Sequence, residues 1–376
     1  MTGTGTVRGR VVTGSGVRDA VVAYVDGRIV DVAASSDAPD VLVLPGLVDV
    51  HCHGAEGRSF GSPRPETWRA VRRAHLRHGT TTLLPTLATA TPDAMAAALA
   101  TGRRLVAAGA PGIAGLHLEG PFVAPPFRGA HAAGLVRSRV PVPLPPPVDD
   151  LDGVRVVTFA PELPGADALL ASCVRAGVTA SAGHTAATPA DLDAAAAAGL
   201  THVAHLWSGH SRLEQDGPVR RPGLLEAVLA SDAFTAEAIM DGRHLTAVLA
   251  RIAYRCLGPD RLCLVSDASP GAGLHDGASF DLAGGTATVR DGVAWSADGR
   301  SYCGSTSFLL DVLRFAVRVA GIGLVDAVRM ATTTPARAVG LPPGTGDVVV
   351  GGPATFVLLR PDLSVAGVVE GGERVV

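Results

Sequence analysis

Eight times between residues 46 and 340, an apolar run of strand length is followed by a helix-like stretch. The strand candidates are 41–51, 80–86, 112–119, 154–160, 178–184, 201–207, 233–240 and 261–267. Helix start signals separate them. Thr91-Pro92-Asp93 opens a helix at 93–109, with Thr as N-cap and Pro in the first helical position. Thr188-Pro189 repeats the device before 190–198, and a third helix is expected over 66–78. Eight such units suit a (β/α)8 TIM-type barrel, which takes about 250 residues plus insertions. A doubly wound open sheet is the alternative, but no G-x-G-x-x-G opens a helix in this chain.

The two ends are written differently. Residues 5–33 and 346–376 carry short Val-rich runs broken by turn dipeptides such as Asp26-Gly27. These read as antiparallel strands. Segments 1–45 and 341–376 are therefore expected to meet in one small β-domain, a sandwich beside the barrel body of 46–340. Two insertions stand out in that body. Residues 121–147 are proline-rich and read as a rigid surface flap. Residues 276–300 read as a hairpin pair turning at Asp291-Gly292 and Asp298-Gly299.

Composition removes several functions. The formal charge is -3, so no basic footprint for nucleic acid or anionic lipid is present. All 32 basic residues are arginine. Schiff-base chemistry, a P-loop lysine and a carbamylated lysine bridging two metals are thereby excluded. The five cysteines are scattered with no C-x-x-C pair, the usage of a reducing cytoplasm. Neither a signal peptide nor a membrane span is expected.

The chemistry lies where polar ligand types fall. His51-Cys52-His53 ends one apolar run, Glu119 another, then His184, His205 and Asp267 in turn. In a parallel barrel all C-terminal strand ends converge on one face, where active sites sit. His51 and His53, two apart, share a strand face, while Cys52 points away. Four histidines and two carboxylates suit a borderline divalent cation such as Zn²⁺, one or two per chain. Each taken alone is more often an ordinary hydrogen-bonded residue; their joint convergence is the signal. The remaining histidines are weighed separately. His202 faces away from His205 and reads as packing. His75 and His78 read as solvated helix residues, and His117 as a core residue one layer deeper. His210 and His275 lie in loops near the mouth.

The ordered set LPGLVDVHCHG, GTTTLLPTL, GLHLEGPF, RGAH, SAGHT, THVAHLWSGH, MDGRHL, LVSDA, GST and TTTPARAVGL resembles the N-acetylglucosamine-6-phosphate deacetylase family of the amidohydrolase superfamily. It spans nearly the whole chain. The Glu of HLEGP, a metal ligand in that family, is the most telling match. The resemblance implies that Glu119, His184 and His205 hold a principal metal, and that His51 and His53 with bridging Glu119 hold a second. It implies that Asp267 is the proton shuttle and His131 a substrate contact that stabilises the oxyanion. It implies Ser208, Gly209 and His244 as substrate contacts. Arg220 would reach the substrate's phosphate from the neighbouring subunit of a homodimer. The implied enzyme is a cytoplasmic, metal-dependent hydrolase of a small amino-sugar substrate, with no nucleic-acid or membrane partner.

One departure bears on specificity. Where the family reads an aromatic residue then Asn-Ala-Met, this chain has Trp207-Ser208-Gly209-His210. A related or unphosphorylated N-acyl amino sugar is thus an alternative substrate. Two further readings are an amidohydrolase acting on a cyclic amide and a catalytically silent scaffold. The absent lysine and the HLEGP motif weigh against the first, and the complete ligand set against the second.

Overall fold

A computed structural model describes residues 3–14, 16–146 and 148–376. Met1, Thr2 and Ser15 of the 1–45 segment, and Pro147 at the end of the proline-rich run, lie outside the described residues. The body is an eight-stranded parallel sheet: β1 (Leu47–Cys52), β2 (Thr80–Ala88), β3 (Leu116–Glu119), β4 (Val154–Phe159), β5 (Thr179–Ala182), β6 (His202–Val203), β7 (Thr235–Ala238) and β8 (Leu262–Leu264). Each strand pairs with the next in chain order. Closure into a barrel occurs just past β8. There Asp267 N donates to His51 O at 2.9 Å and His53 N to Ala268 O at 2.8 Å. Helices follow most strands, as α/β units require.

Local signals act as expected at the helix starts. The helix Pro92–Ala107 begins at Thr91, whose side chain accepts from Ala94 N. Thr188 and Asp191 form a reciprocal capping box at the head of Pro189–Ala197.

The two ends of the chain share a seven-stranded sheet. Its order is Glu373–Arg374, Val365–Glu370, Phe356–Leu359, Leu42–Pro45, Gly5–Thr13, Gly16–Val25 and Arg28–Ala34. The halves fold over one another as a small sandwich. Ile29 N donates to Gly352 O at 2.9 Å, and the Tyr24 and Phe356 rings lie 6.2 Å apart. Val7, Val11, Val22, Val43, Ile29 and Val369 fill the space between.

Three expectations need correction. The apolar run 41–51 is not one barrel strand. It breaks at Gly46 into Leu42–Pro45, in the end sheet, and β1, in the barrel. The reason is steric: a Cβ at Gly46 would lie 2.1 Å from Thr81 Oγ1 and 2.8 Å from Thr355 Cγ2. The chain crosses between the two sheets where no side chain fits. The late strands are also shorter than their apolar runs, so His184, His205 and Asp267 fall past the last ladder residue. Finally, His75 is not solvated. It is fully buried in the helix Pro65–Arg77, with Nε2 3.1 Å from both Gly54 O and Cys52 Sγ. Its neighbour His78 is half-buried and stacks on Phe308 at 3.8 Å.

The 276–300 region forms the strands Ser279–Leu282, Gly285–Arg290 and Val293–Ser296. Asp291-Gly292 makes one turn, both residues having positive φ. The Asp298-Gly299 turn also forms, carrying the chain from Ser296 back to Ser301, and a further turn lies at Ala283-Gly284, with both φ positive. Alanine rarely takes that conformation, so nothing in the sequence marked it.

Candidate active site and metal centre

Glu119 ends β3 and is the hub of the barrel mouth. Its Oε1 lies 3.0 Å from His184 Nε2, 2.9 Å from His205 Nε2 and 3.4 Å from His51 Nε2. Its Oε2 lies 3.4 Å from His53 Nε2 and 3.5 Å from His131 Nε2. Asp267 Oδ1 faces the same group, 3.3 Å from His53 Nε2 and 3.8 Å from His51 Nε2. All of these residues are buried. His51 and His53 do share a face, and Cys52 turns away toward His75.

The site holds its residues under local strain. His184, Trp207 and Asp267 all have positive φ, 50°, 69° and 46°. Non-glycine residues seldom adopt this region, and such outliers gather at functional sites. His184 is further fixed by its Nδ1, which donates to Phe127 O at 2.9 Å.

Electrostatics sorts the groups by protonation state. Burial would raise the Glu119 pKa, but His51, His131, His184 and His205 hold it well below the ordinary carboxylate range. Burial likewise opposes ionisation of Asp267, yet the hydrogen bond from His53 and the nearby His51 keep it lowered. Burial and the neighbouring His184 depress His131. Both carboxylates are therefore anions set among imidazoles, the environment a divalent cation needs. His51 Nε2, His131 Nδ1 and His205 Nδ1 are buried without a hydrogen-bond partner. A buried imidazole nitrogen without a partner is costly unless something else occupies its lone pair or its proton. The orphaned His51 Nε2, facing Glu119 and Asp267, fits a cation ligand.

A pocket opens above this cluster. Ser208, Gly209, His131 and His244 line its wall. His244 Nδ1 lies 2.7 Å from Asp241 Oδ2. Burial lowers its pKa, but Asp241 outweighs burial and raises it. Arg220 is elsewhere: it lies on the exposed strand Val219–Arg221 and is not among the residues lining this pocket.

Some participants escaped the sequence reading. Leu282 and Ala283 bring the first hairpin turn to the pocket wall, and Ser301 and Tyr302 close another side. Glu237, on β7, is fully buried beneath His51. Its one sequence signal was being the sole charge in the run FTAEAIM. His202 and His117 do not reach the pocket. His202 pairs with Glu237, and His117 bonds Val50 O and Thr158 Oγ1. His210 is buried beside His205, with ring centroids 5.8 Å apart, and His275 is exposed.

The model of the amidohydrolase family matches residues 42–375. The chain belongs to the amidohydrolase family. Among curated amidohydrolase relatives, an N-acetylgalactosamine-6-phosphate deacetylase of Shewanella sp. is 33% identical over 88% of this chain and 82% of its own length. The N-acetylglucosamine-6-phosphate deacetylase of Bacillus subtilis is 30% identical over 87% and 82%. An N-acetyl-D-glucosamine-6-phosphate deacetylase mutant from Mycobacterium smegmatis, solved in complex with N-acetyl-D-glucosamine-6-phosphate, superposes with a TM-score of 0.90. It shares 34% identity, and the match covers 100% of both chains. As an amidohydrolase of this kind, the protein is a hydrolase acting on an N-acetyl amide.

Proposed function

We propose that this amidohydrolase hydrolyses N-acetylglucosamine 6-phosphate to glucosamine 6-phosphate and acetate. The observation carrying this reading is the buried Glu119 carboxylate ringed by five imidazoles, with Asp267 facing the same cluster at the pocket. The likeness to a relative solved with that sugar phosphate supports the choice of substrate. Glu119, His184 and His205 would hold one divalent cation, Zn²⁺ being the expected metal; His51 and His53 would hold a second with Glu119. Such a cation supplies Lewis-acid polarisation of the amide carbonyl and of the attacking water.

The protein's own residues do the rest. Asp267, kept anionic, accepts the proton of the attacking water and returns it to the departing amine. His131 has a buried Nδ1 without a partner, and in the tautomer that carries its proton there it donates a hydrogen bond to the amide oxygen as charge develops. Ser208, Gly209 and His244 meet the sugar and its phosphate, with His244 favouring the anion because Asp241 supports its charged form. Arg220 completes the phosphate site of a partner copy in a homodimer. The end segments 1–45 and 341–376 act as one β-domain and 46–340 as the catalytic unit, in a cytoplasmic enzyme.

Acetate release after metal reconstitution tests the reading. N-acetylglucosamine 6-phosphate should be the preferred substrate over its 4-epimer N-acetylgalactosamine 6-phosphate and over unphosphorylated N-acetylglucosamine. Equal turnover of the unphosphorylated sugar would move the reading to a phosphate-independent deacetylase. Release from none of the three would overturn it.

A further inference from the structure

Glu237 is fully buried in the middle of β7, between Ala236 and Ala238. A carboxylate there is expensive unless every oxygen is engaged. Its Oε2 lies 2.8 Å from His51 Nδ1 and accepts from His205 N at 3.1 Å. Its Oε1 lies 3.2 Å from His202 Nε2. It therefore touches two of the residues assigned to the metal centre without facing the pocket itself.

The hydrogen-bond network assigns the tautomers. An ionised carboxylate only accepts, so both imidazoles must donate to it. On His202, Nε2 then carries a proton, and Nδ1 lies 2.6 Å from Thr235 Oγ1. On His51, Nδ1 carries the proton. When the ring ligates a cation, its Nε2 therefore presents the lone pair toward Glu119 and Asp267, and that atom is the one on the ring without a hydrogen-bond partner. The nearby group of His51, His117 and Glu237 is not a separate cation site, because both His117 nitrogens are engaged, at 3.0 Å by Val50 O and 2.8 Å by Thr158 Oγ1.

We propose that Glu237 is a positioning residue that holds His51 in its Nδ1-protonated tautomer and so determines whether this chain binds a second divalent cation beside the first. Carboxylates behind ligating histidines raise ligand basicity and fix ring orientation, and their loss costs about 10–100-fold in metal affinity. The proposal rests on the metal-holding reading given above.

The test is a Zn²⁺ titration of chelator-stripped full-length protein, followed by calorimetry and elemental analysis. Wild type should take two equivalents. Glu237→Gln, which keeps the shape but removes the charge, should keep the first affinity and lose about 10-fold or more in the second. Two equivalents bound by Glu237→Gln with wild-type affinities, or a single equivalent in wild type, would overturn the proposal. Should the variant fail to fold, nitrogen-15 NMR of the Zn²⁺-loaded wild type decides: His51 must show Nδ1–H with Nε2 coordinated, and the opposite tautomer overturns it. The deacetylase reading fails separately, on the absence of acetate release. Full activity with an unaltered second affinity in Glu237→Gln would sink only the positioning role.

Discussion

Asp267 combines three properties: a positive φ, a buried carboxylate held anionic, and a place 3.3 Å from His53 Nε2. If it carries the proton, Asp267→Asn should cut kcat by about 10²-fold or more while bound metal and substrate affinity stay near wild type. A parallel fall in metal content would instead make it chiefly a ligand, and steady-state kinetics with elemental analysis separates the two. His75 supports a pH prediction. Burial lowers its pKa to about 4, against about 6.5 in an unfolded chain. The unfolded state therefore binds more protons between those values, and stability must rise with pH across that window. From pH 6.5 down to 4 the loss from this one group is on the order of 3 kcal/mol. His75→Gln keeps a donor for Gly54 O but cannot titrate. Its urea midpoint should vary less over pH 4–6.5 than that of wild type, and an identical pH dependence would refute the assignment.

At the scale of elements, the sharpest prediction concerns the crossing at Gly46. Adding one methyl there meets Thr81 Oγ1, so Gly46→Ala should cost roughly 1–3 kcal/mol by overpacking. Thr81→Ala should restore part of that loss in the double variant; no rescue in thermal melts would mean that the contact is not the cause. The same position explains what was legible. Apolar runs announced the strands because a barrel strand is buried on both faces, and Thr-Pro pairs announced helix starts because they satisfy the first turn. Nothing in VLVLPGLVDV says that its halves serve different sheets, since that depends on Thr81 and Thr355 approaching from far along the chain. His51, Glu119, His184 and Asp267 were legible because polar residues at the ends of apolar runs are few. Glu237 was not, because a mid-strand carboxylate makes sense only once His51 and His202 are seen to donate to it. The pocket residue Ala283 sits in a hairpin turn of unmarked Ala-Gly, whereas Tyr302 follows the Asp298-Gly299 turn that the sequence did mark.

For the whole molecule, the prediction concerns assembly. Arg220 is exposed on a two-stranded arm, Glu214–Asp216 with Val219–Arg221, away from its own pocket. A homodimer should scatter light at twice the 38.0 kDa chain mass. If Arg220 serves the partner's site, mixing the weak Arg220→Ala enzyme with inactive Asp267→Asn should restore activity, because mixed dimers contain one intact site. Absence of complementation in demonstrably mixed dimers would refute the shared site.

The barrel's closing bonds carry a consequence for biosynthesis. His51 and His53 emerge from the ribosome early, but the backbone groups that join β1 to the far side of the barrel belong to Asp267 and Ala268. Until that late segment is translated, a nascent chain holds every imidazole of the centre on an open sheet. Metal capture during synthesis would therefore compete with edge-to-edge association of incomplete chains. Sealing the ring and bringing Asp267 to the metal-holding residues are one event, and a chain stalled before Ala268 would be a substrate for chaperones.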